Sequence, residues 1–184
     1  ISTESQADAD IRQAAAIQLK NQVRSAWDIL DAASAWPPES ERAFIRQSLI
    51  DSIVVAFPLQ GVRAQLIEIC RIISMIDFPG KWQGLLERVL VGLRSDDTVH
   101  VHAALLALRK LFKQQQMRTA ARRTELDGLC AETLPVLRVL GHTLRNAAAQ
   151  PGLHSLEALR ILAVLLKCFY SASYWSLGAA VRQE

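Results

Sequence analysis

The stretch from Ile11 to Trp27, IRQAAAIQLKNQVRSAW, decides how the sequence is interpreted, because it predicts a helix whose two faces carry different chemistry. At about 100° per residue, one broad face is apolar and suited to packing on neighbouring helices, whereas the opposite face is polar and positively charged around one apolar residue. The apolar face comprises Ile11, Ala15, Ala16, Leu19, Val23, Ala26 and Trp27, and the opposite face comprises Gln13, Ile17, Lys20, Asn21 and Arg24.

The residues alone leave two interpretations of that polar face. Lys20 and Arg24 can be ordinary solubilising charges, and a single exposed Ile17 is common on protein surfaces. Alternatively, these side chains form a binding surface, since they offer hydrogen-bond donors and positive charge beside one apolar contact. The helical wheel does not decide between the two.

The amino-acid composition limits the classes of protein to which the chain can belong. Of the 184 residues, 51% are hydrophobic and 21% charged, which is typical of a folded chain. With only 8 Gly and 6 Pro among many Leu, Ala, Ile, Arg and Gln residues, the sequence predicts an all-α fold. Three separated cysteines indicate free thiols in a reducing compartment, the cytosol or nucleus. Interleaved charges and the lack of a long uncharged apolar run give no sign of nucleic-acid binding or a membrane span.

The sequence predicts about seven helices. Residues 1–9 are predicted to be a loop in which Asp8 or Asp10 caps the first helix, and Trp36-Pro37-Pro38 marks a linker. A basic connection is predicted at 113–123, and Pro135 predicts a kink or break near Thr133. The predicted helices span 11–27, 39–57, 62–76, 82–93, 98–112, 125–145 and 154–174.

The second members of successive helix pairs begin near residues 11, 62, 98 and 154, an irregular spacing typical of HEAT-type repeats with loop insertions. Each pair is amphipathic and cannot bury its apolar face alone. Stacking of the pairs into a right-handed superhelical solenoid would bury a continuous core. The periodicity by itself is also compatible with a compact bundle.

The segment RQAAAIQLKN, followed by Trp27, resembles a helix near the N-terminus of importin-beta superfamily receptors, in the region that engages the GTPase Ran. The segments IRQSLIDSIVVAF and VRAQLIEICRIISMID and the motif at 77–82, DFPGKW, resemble the following repeats in order and spacing. The motif matches the family's Asp-(Phe or Tyr)-Pro-x-x-Trp signature. The resemblance is specific over residues 10–94 and rests on helical pattern alone over 95–184.

The resemblance implies Ran-binding HEAT repeats over residues 1–94, further HEAT-type pairs over 95–184, and one continuous solenoid that is expected to extend beyond both ends of the chain. It also implies a nuclear transport receptor that shuttles between cytoplasm and nucleus, carries protein cargo such as basic ribosomal proteins or histones, and binds nucleoporins through other regions. The residues that it assigns to Ran in the GTP form are Gln13, Ile17, Lys20, Asn21 and Arg24, with Arg63 and Arg71 as weaker candidates.

Two alternatives to an import receptor stay open. The segment SLEALRILAVLLKCFYSASY resembles the export receptor for importin alpha, although AAAIQLKN favours the import branch. The other alternative is a HEAT-repeat scaffold that does not bind Ran.

A second basic set is predicted on the helix that begins near residue 98. It gathers around Leu106 and is expected to attract acidic partners, although solvated Lys and Arg residues are common on such helices. Its members are His102, Arg109, Lys110 and Lys113.

The sequence predicts neither an enzyme nor a metal or cofactor site. His100 and His102 lie about 200° apart on a helix and therefore cannot share one metal ion. Gly80-Lys81 lacks the upstream glycine of a phosphate-binding loop, since Met75 occupies that position, and no hydrolase motif occurs. The DFPGKW motif is predicted to be structural, with Pro79 and Gly80 making a turn that Phe78 and Trp82 seal.

Overall fold

The computed structural model describes residues 3–28, 37–115 and 120–173, and all of the regular structure in them is helical. The all-α prediction is confirmed. The chain forms two compact units, Ile1–Leu85 and Leu86–Glu184. The described residues form seven helices: α1 (Thr3–Ala26), α2 (Glu39–Val55), α3 (Gln60–Asp77), α4 (Leu85–Leu93), α5 (Thr98–Gln115), α6 (Ala120–Ala148) and α7 (Leu153–Ser173).

Two local predictions are wrong, and of the kink or break predicted at Pro135 the break is excluded. Helix α1 begins at Thr3, so the predicted loop at 1–9 is helical from there, and Asp8 pairs with Arg12 at 2.6 Å within the helix instead of capping it. Helix α6 begins at Ala120, inside the predicted basic connection. It also continues through Pro135 without the predicted break, and the Thr133 hydroxyl donates a hydrogen bond to the Leu129 carbonyl at 2.6 Å. The linker at 29–36 and the end of the chain after 173 lie outside the described residues.

In the first unit, α1 and α3 are parallel neighbours and α2 runs antiparallel to them. Arg24 pairs with Glu68, and Trp27, just after α1, bonds to Asp77 at the end of α3, so the two helices run in the same direction. Arg42, near the start of α2, reaches the carbonyl of Trp27. This alternation is the one expected for HEAT-type pairs. Helix α1 corresponds to the second helix of one pair, and α2 and α3 form the next pair.

A buried carboxylate joins these three helices. Asp77, 3% exposed, accepts hydrogen bonds from Trp27 Nε1 at 3.0 Å and from Arg46 Nη1 of α2 at 2.8 Å. Arg46 also bonds to Glu39, which lowers the pKa of that carboxyl. Burial opposes the charge on Arg46, but its bonds to Glu39 and Asp77 outweigh this and raise the pKa of the guanidinium. We call Trp27, Arg46 and Asp77 the carboxylate clamp.

Arg42 closes the C-terminal end of α1. Its Nη1 donates to the Trp27 carbonyl at 3.0 Å and its Nε to the Pro37 carbonyl at 2.8 Å. Its guanidinium also lies 5.2 Å from the centre of the Trp27 ring, within the range of a cation–π contact. The last carbonyls of a helix have no partner inside the helix, so Arg42 satisfies a polar group that would otherwise be left unpaired on burial.

The DFPGKW motif forms the predicted turn. Phe78 and Trp82 are buried, while Pro79 and Gly80 are exposed, and the Phe78–Pro79 peptide bond is cis. The backbone N–H groups of Lys81 and Trp82 donate to the Asp77 carbonyl at 2.7 and 3.0 Å. Asp77 therefore fixes the turn through its main chain and the clamp through its side chain.

In the second unit, α5 and α7 are parallel and α6 packs on both. The Thr98 hydroxyl donates to Glu157 at 2.7 Å, and the Cys168 thiol lies 3.4 Å from the Leu105 carbonyl. Asp97 accepts the Val99 N–H at 2.9 Å and so caps α5; that bond lowers the pKa of Asp97. The apolar stripe of α5 is buried as a whole: Val101, Ala104, Leu105, Leu108, Leu111 and Phe112.

Helix α4 approaches α5 closely at a glycine. A methyl group at Gly92 would lie 2.9 Å from Cβ of Ala104, closer than two such carbons can approach, so glycine permits this packing. The three cysteines are free and buried, as predicted. Burial raises the pKa of Cys130 to about 11 and that of Cys168 to about 12. Among the described helices, none combines the length and apolar character that crossing a bilayer would require.

The clamp predicts a large stability effect for a substitution that preserves shape. Asp77→Asn removes the negative charge that faces Arg46 in a buried site, and breaking a buried pair typically costs about 3 to 5 kcal/mol. We expect the free energy of unfolding of the first unit, from denaturant titration, to fall by about that amount. Asp96→Asn is the matched control, since Asp96 is exposed, and should change stability by about 0.5 kcal/mol or less. Equal stability of both variants would contradict the clamp.

Candidate protein-binding surfaces

Two arginines share one carboxylate on the surface between α1 and α3. Glu68 Oε1 lies 3.3 Å from Arg24 Nη2 and 2.8 Å from Arg71 Nη2, and it also accepts a hydrogen bond from Arg71 Nε at 2.9 Å. The Arg24 side chain is 57% exposed and that of Arg71 31%. Because one carboxylate cannot neutralise two guanidinium groups, this cluster keeps positive charge that solvent or a partner can reach.

The predicted residues of α1 continue this cluster along the helix. Gln13, Ile17, Lys20 and Arg24 follow the spacing of one helix face, and Asn21 lies exposed beside them. Lys20 and Ile17 are half-buried, and Lys20 makes no ion pair with any described residue. Together with Glu68 and Arg71, these residues form what we call the α1–α3 surface, which is basic with one apolar contact.

The packing face of α1 is rotated from the predicted apolar face towards these polar residues. Ala16, Val23 and Trp27 are buried as predicted, but Ile11 is 68% exposed and Ala15 is exposed as well. The side chain of Gln13 reaches α3 at a glycine: a methyl group at Gly61 would lie 2.1 Å from Oε1 of Gln13. Gln13 therefore rests against α3 at a position without a side chain, and the polar face borders α3 instead of pointing directly away from it.

The two weaker candidates on α3 lie in different surroundings. Arg71 belongs to the cluster around Glu68. Arg63 instead donates to the Phe57 carbonyl and stacks its guanidinium 4.2 Å from the centre of the Phe57 ring, at the connection between α2 and α3. Arg63 and Glu68 are also about 140° apart around the helix, since they are five residues apart. The structure thus brings Arg71 to Arg24 and holds Arg63 away.

Sequence reasoning missed the role of Glu68, which it placed only at the edge or outside of α3. The spacing of Glu68 and Arg71, three residues apart, is a signal for their ion pair. The link to Arg24 has no such signal, because it spans 44 positions and depends on how α1 docks on α3.

The basic set of the second unit shares the accessible face of α5. His102, Leu106, Arg109 and Lys110 are half-buried and Lys113 is exposed, whereas every other residue from 101 to 114 is buried. We call these five residues the α5 strip. Arg109 has its Nε atom buried without a hydrogen-bond acceptor among the described residues, and its charge acts on the thiol of Cys168 in α7.

No group of three potential metal ligands occurs among the described residues. His100 does not face His102 but lies 2.7 Å from the carboxylate of Asp97, the cap of α5. Neither surface gathers a nucleophile with a base. Both present charge and hydrogen-bond donors around one apolar side chain, an arrangement that can bind a protein partner.

The chain is similar in sequence to proteins of one known family. Residues 1–55 match the family model described as the importin-beta N-terminal domain. Importin-8 from Danio rerio is 32% identical over 141 residues, which are 73% of this chain and 14% of that protein. Human Importin-8 is 32% identical over 126 residues, or 63% of this chain and 12% of that protein. Exportin-2 from Pagrus major is 25% identical over 178 residues, or 92% of this chain and 18% of that protein.

The chain therefore spans less than a fifth of the length of the curated relatives that it matches. No solved structure matches it significantly.

Glu68 joins Arg24 and Arg71 through two ion pairs, which we call the Glu68 bridge. We predict that this bridge makes a small and salt-dependent contribution to the free energy of unfolding. Ion pairs at the surface contribute about 0 to 1 kcal/mol, and salt screens them. We expect Glu68→Gln to lower the free energy of unfolding by less than about 1 kcal/mol at low salt and to have no effect in 1 M NaCl. Glu87→Gln on α4 is the control, since Glu87 is exposed. A loss that persists unchanged at high salt would mean that Glu68 acts by packing and not by charge.

Proposed function

Because the chain belongs to the importin-beta superfamily, we propose that it forms part of a nuclear transport receptor and that its α1–α3 surface binds Ran in the GTP form. The single observation that carries the second half of this proposal is the Glu68 bridge, which gathers Arg24 and Arg71 on one accessible surface. This function is binding and requires no cofactor.

The chemistry of the α1–α3 surface suits a folded protein partner. The Glu68 carboxylate holds the guanidinium of Arg71 near that of Arg24, so less side-chain entropy is lost when an acidic group docks. Lys20 adds a positive charge without a carboxylate partner among the described residues. Ile17 gives the apolar contact that protein interfaces bury beside their charges. Arg63 is the weakest member of the proposed site, because its guanidinium is occupied by Phe57.

We further propose that the receptor carries protein cargo into the nucleus, shuttling between cytoplasm and nucleus. The relatives named Importin-8 favour import, because they are more similar in sequence, at 32% identity against 25% for Exportin-2. Basic proteins such as ribosomal proteins and histones are the proposed cargo, and nucleoporins are proposed to bind elsewhere in the receptor. Residues 1–94 are proposed as the Ran-binding repeats, and 95–184 as further HEAT-type pairs of the same solenoid.

Export is the second candidate function, and one observation favours it. The match to Exportin-2 covers 92% of this chain, including its C-terminal part, whereas the match to Importin-8 covers 73%. Comparing cargo release discriminates the two: Ran-GTP releases the cargo of an import receptor and stabilises the cargo complex of an export receptor.

Arg24 and Arg12 give a matched pair for testing the Ran site. Both lie on α1, are similarly exposed at 57% and 60%, and pair with one carboxylate, but Arg12 pairs with Asp8 of its own helix and Arg24 with Glu68 of α3. We expect Lys20→Glu combined with Arg24→Glu to weaken the binding of Ran-GTP to the full-length protein by about 30-fold, since desolvated interface charges are worth about 2 to 5 kcal/mol. Arg12→Glu should change the affinity by less than about twofold.

Thermal melts of the same variants separate binding from folding. The double variant should unfold within about 1 kcal/mol of the wild type, because surface substitutions rarely cost more than about 0.5 kcal/mol each. Unchanged Ran-GTP affinity in the double variant would remove Lys20 and Arg24 from the site. Absence of any nucleotide-dependent Ran binding by the wild type would favour a scaffold.

A further inference from the structure

The α5 strip is positively charged, and α7, which packs on α5, carries further positive charge. Helix α5 contains Arg109, Lys110 and Lys113 and no acidic residue. Its parallel neighbour α7 adds Arg160 and Lys167, both exposed and seven residues apart, so that they share one face. The one acidic residue of α7, Glu157, accepts a hydrogen bond from Thr98 at the opposite end of α5 from Lys113.

Within this surface, the side chain of Arg109 has one nitrogen for which no described residue supplies a hydrogen-bond acceptor. Its Nε is buried and has no hydrogen-bond partner among the described residues. Such a donor is costly to leave unpaired, and an arginine fork matches the two oxygens of a carboxylate. Lys113, four residues further along the same face, is exposed and makes no ion pair with any described residue. A carboxylate-bearing ligand on the accessible face would meet the exposed Lys113 and the positive charge of the half-buried Arg109.

From these observations we propose that the α5 strip is a docking site for an acidic protein segment whose carboxylates face Arg109 and Lys113 and which places an apolar side chain against Leu106. The site is distinct from the α1–α3 surface, since it lies in the other compact unit. It also excludes the basic proteins proposed as cargo, because like charges at an interface are repulsive. The segment is therefore a further partner, or an acidic part of a partner whose main contacts lie elsewhere.

A nucleic acid would also be attracted by the charge, but the strip lacks what single-stranded recognition needs. Its five residues present no Phe, Tyr or Trp on which bases could stack, and its middle is the aliphatic Leu106. A row one helix wide is suited to an extended or helical peptide. The chemistry therefore favours a protein segment.

The test uses the full-length protein and a synthetic twelve-residue peptide of Glu and Asp with one central Leu. We expect this peptide to bind, and Lys113→Glu to weaken its binding by about tenfold, because reversal replaces attraction with repulsion at an exposed position. Arg94→Glu is the matched control. Arg94 is also exposed and precedes α5, so that most of an 18-residue helix separates it from Lys113, and its variant should bind within about twofold of the wild type.

Two further arms make the result decisive. Arg109→Lys keeps the charge but removes the planar guanidinium that can pair with both oxygens of a carboxylate, and it should weaken peptide binding by about threefold without changing the salt dependence. A peptide with Gln and Asn in place of Glu and Asp should not bind. The proposal is overturned if the acidic peptide does not bind, if Lys113→Glu and Arg94→Glu weaken it equally, or if single-stranded oligonucleotides bind the strip more tightly than the peptide. None of these outcomes depends on Ran, so this experiment tests the α5 strip independently of the proposed Ran site.

Discussion

The first unit depends on one buried negative charge. Asp77 accepts a hydrogen bond from Trp27 after α1 and another from Arg46 in α2, while its own carbonyl accepts the two N–H groups of the following turn. Taking a carboxylate and a guanidinium out of water costs several kcal/mol, and this cost is recovered only when their geometry and remaining hydrogen bonds are satisfied. The clamp therefore selects one docking of the three helices, because alternative dockings would leave Asp77 or Arg46 unpaired.

The clamp also positions the α1–α3 surface. Trp27 lies three residues after Arg24, so fixing the end of α1 against α3 sets where the Arg24 side chain meets Glu68. Arg42 holds the same end through the Trp27 carbonyl and ring. Both buried contacts lie within one helical turn of the exposed arginine. The buried contacts of Trp27 therefore determine where the charges of Arg24 and Glu68 lie on the surface that a partner would contact.

Much of the fold could be predicted from the sequence, because helix and turn signals are local. The apolar spacing of α5 placed that helix to within a few residues, and the DFPGKW motif correctly predicted that Phe78 and Trp82 are buried beside an exposed Pro79 and Gly80. In α6, of the kink or break predicted at Pro135, the break does not occur, since the exposed proline is accommodated without ending the helix. The loop predicted before residue 10 was also wrong, because polar residues there extend α1 without contributing an apolar stripe.

Contacts between helices were harder to predict than the helices themselves. The rotation of α1 brings Gln13 against Gly61 of α3 and Arg24 to Glu68, and neither contact has a local signal in the sequence. Arg42, Arg46 and Asp77 give no sign in the sequence that they are buried, since charged residues are usually exposed. Their burial follows from which partners the packing brings to them.

Backbone amide hydrogen exchange in Asp77→Asn tests the clamp most directly. The exchange rate of each amide reports the free energy of local opening at that residue. The rates at the end of α1 should therefore show how strongly each residue there is stabilised by Asp77. We predict that amides from residues 20 to 27 exchange about 100-fold faster in the variant, as expected for a loss of about 3 kcal/mol, while those of α5 in the second unit keep their wild-type rates. Unchanged exchange at the end of α1, or an equal increase in α1 and α5, would contradict the account that Asp77 docks α1 on α3.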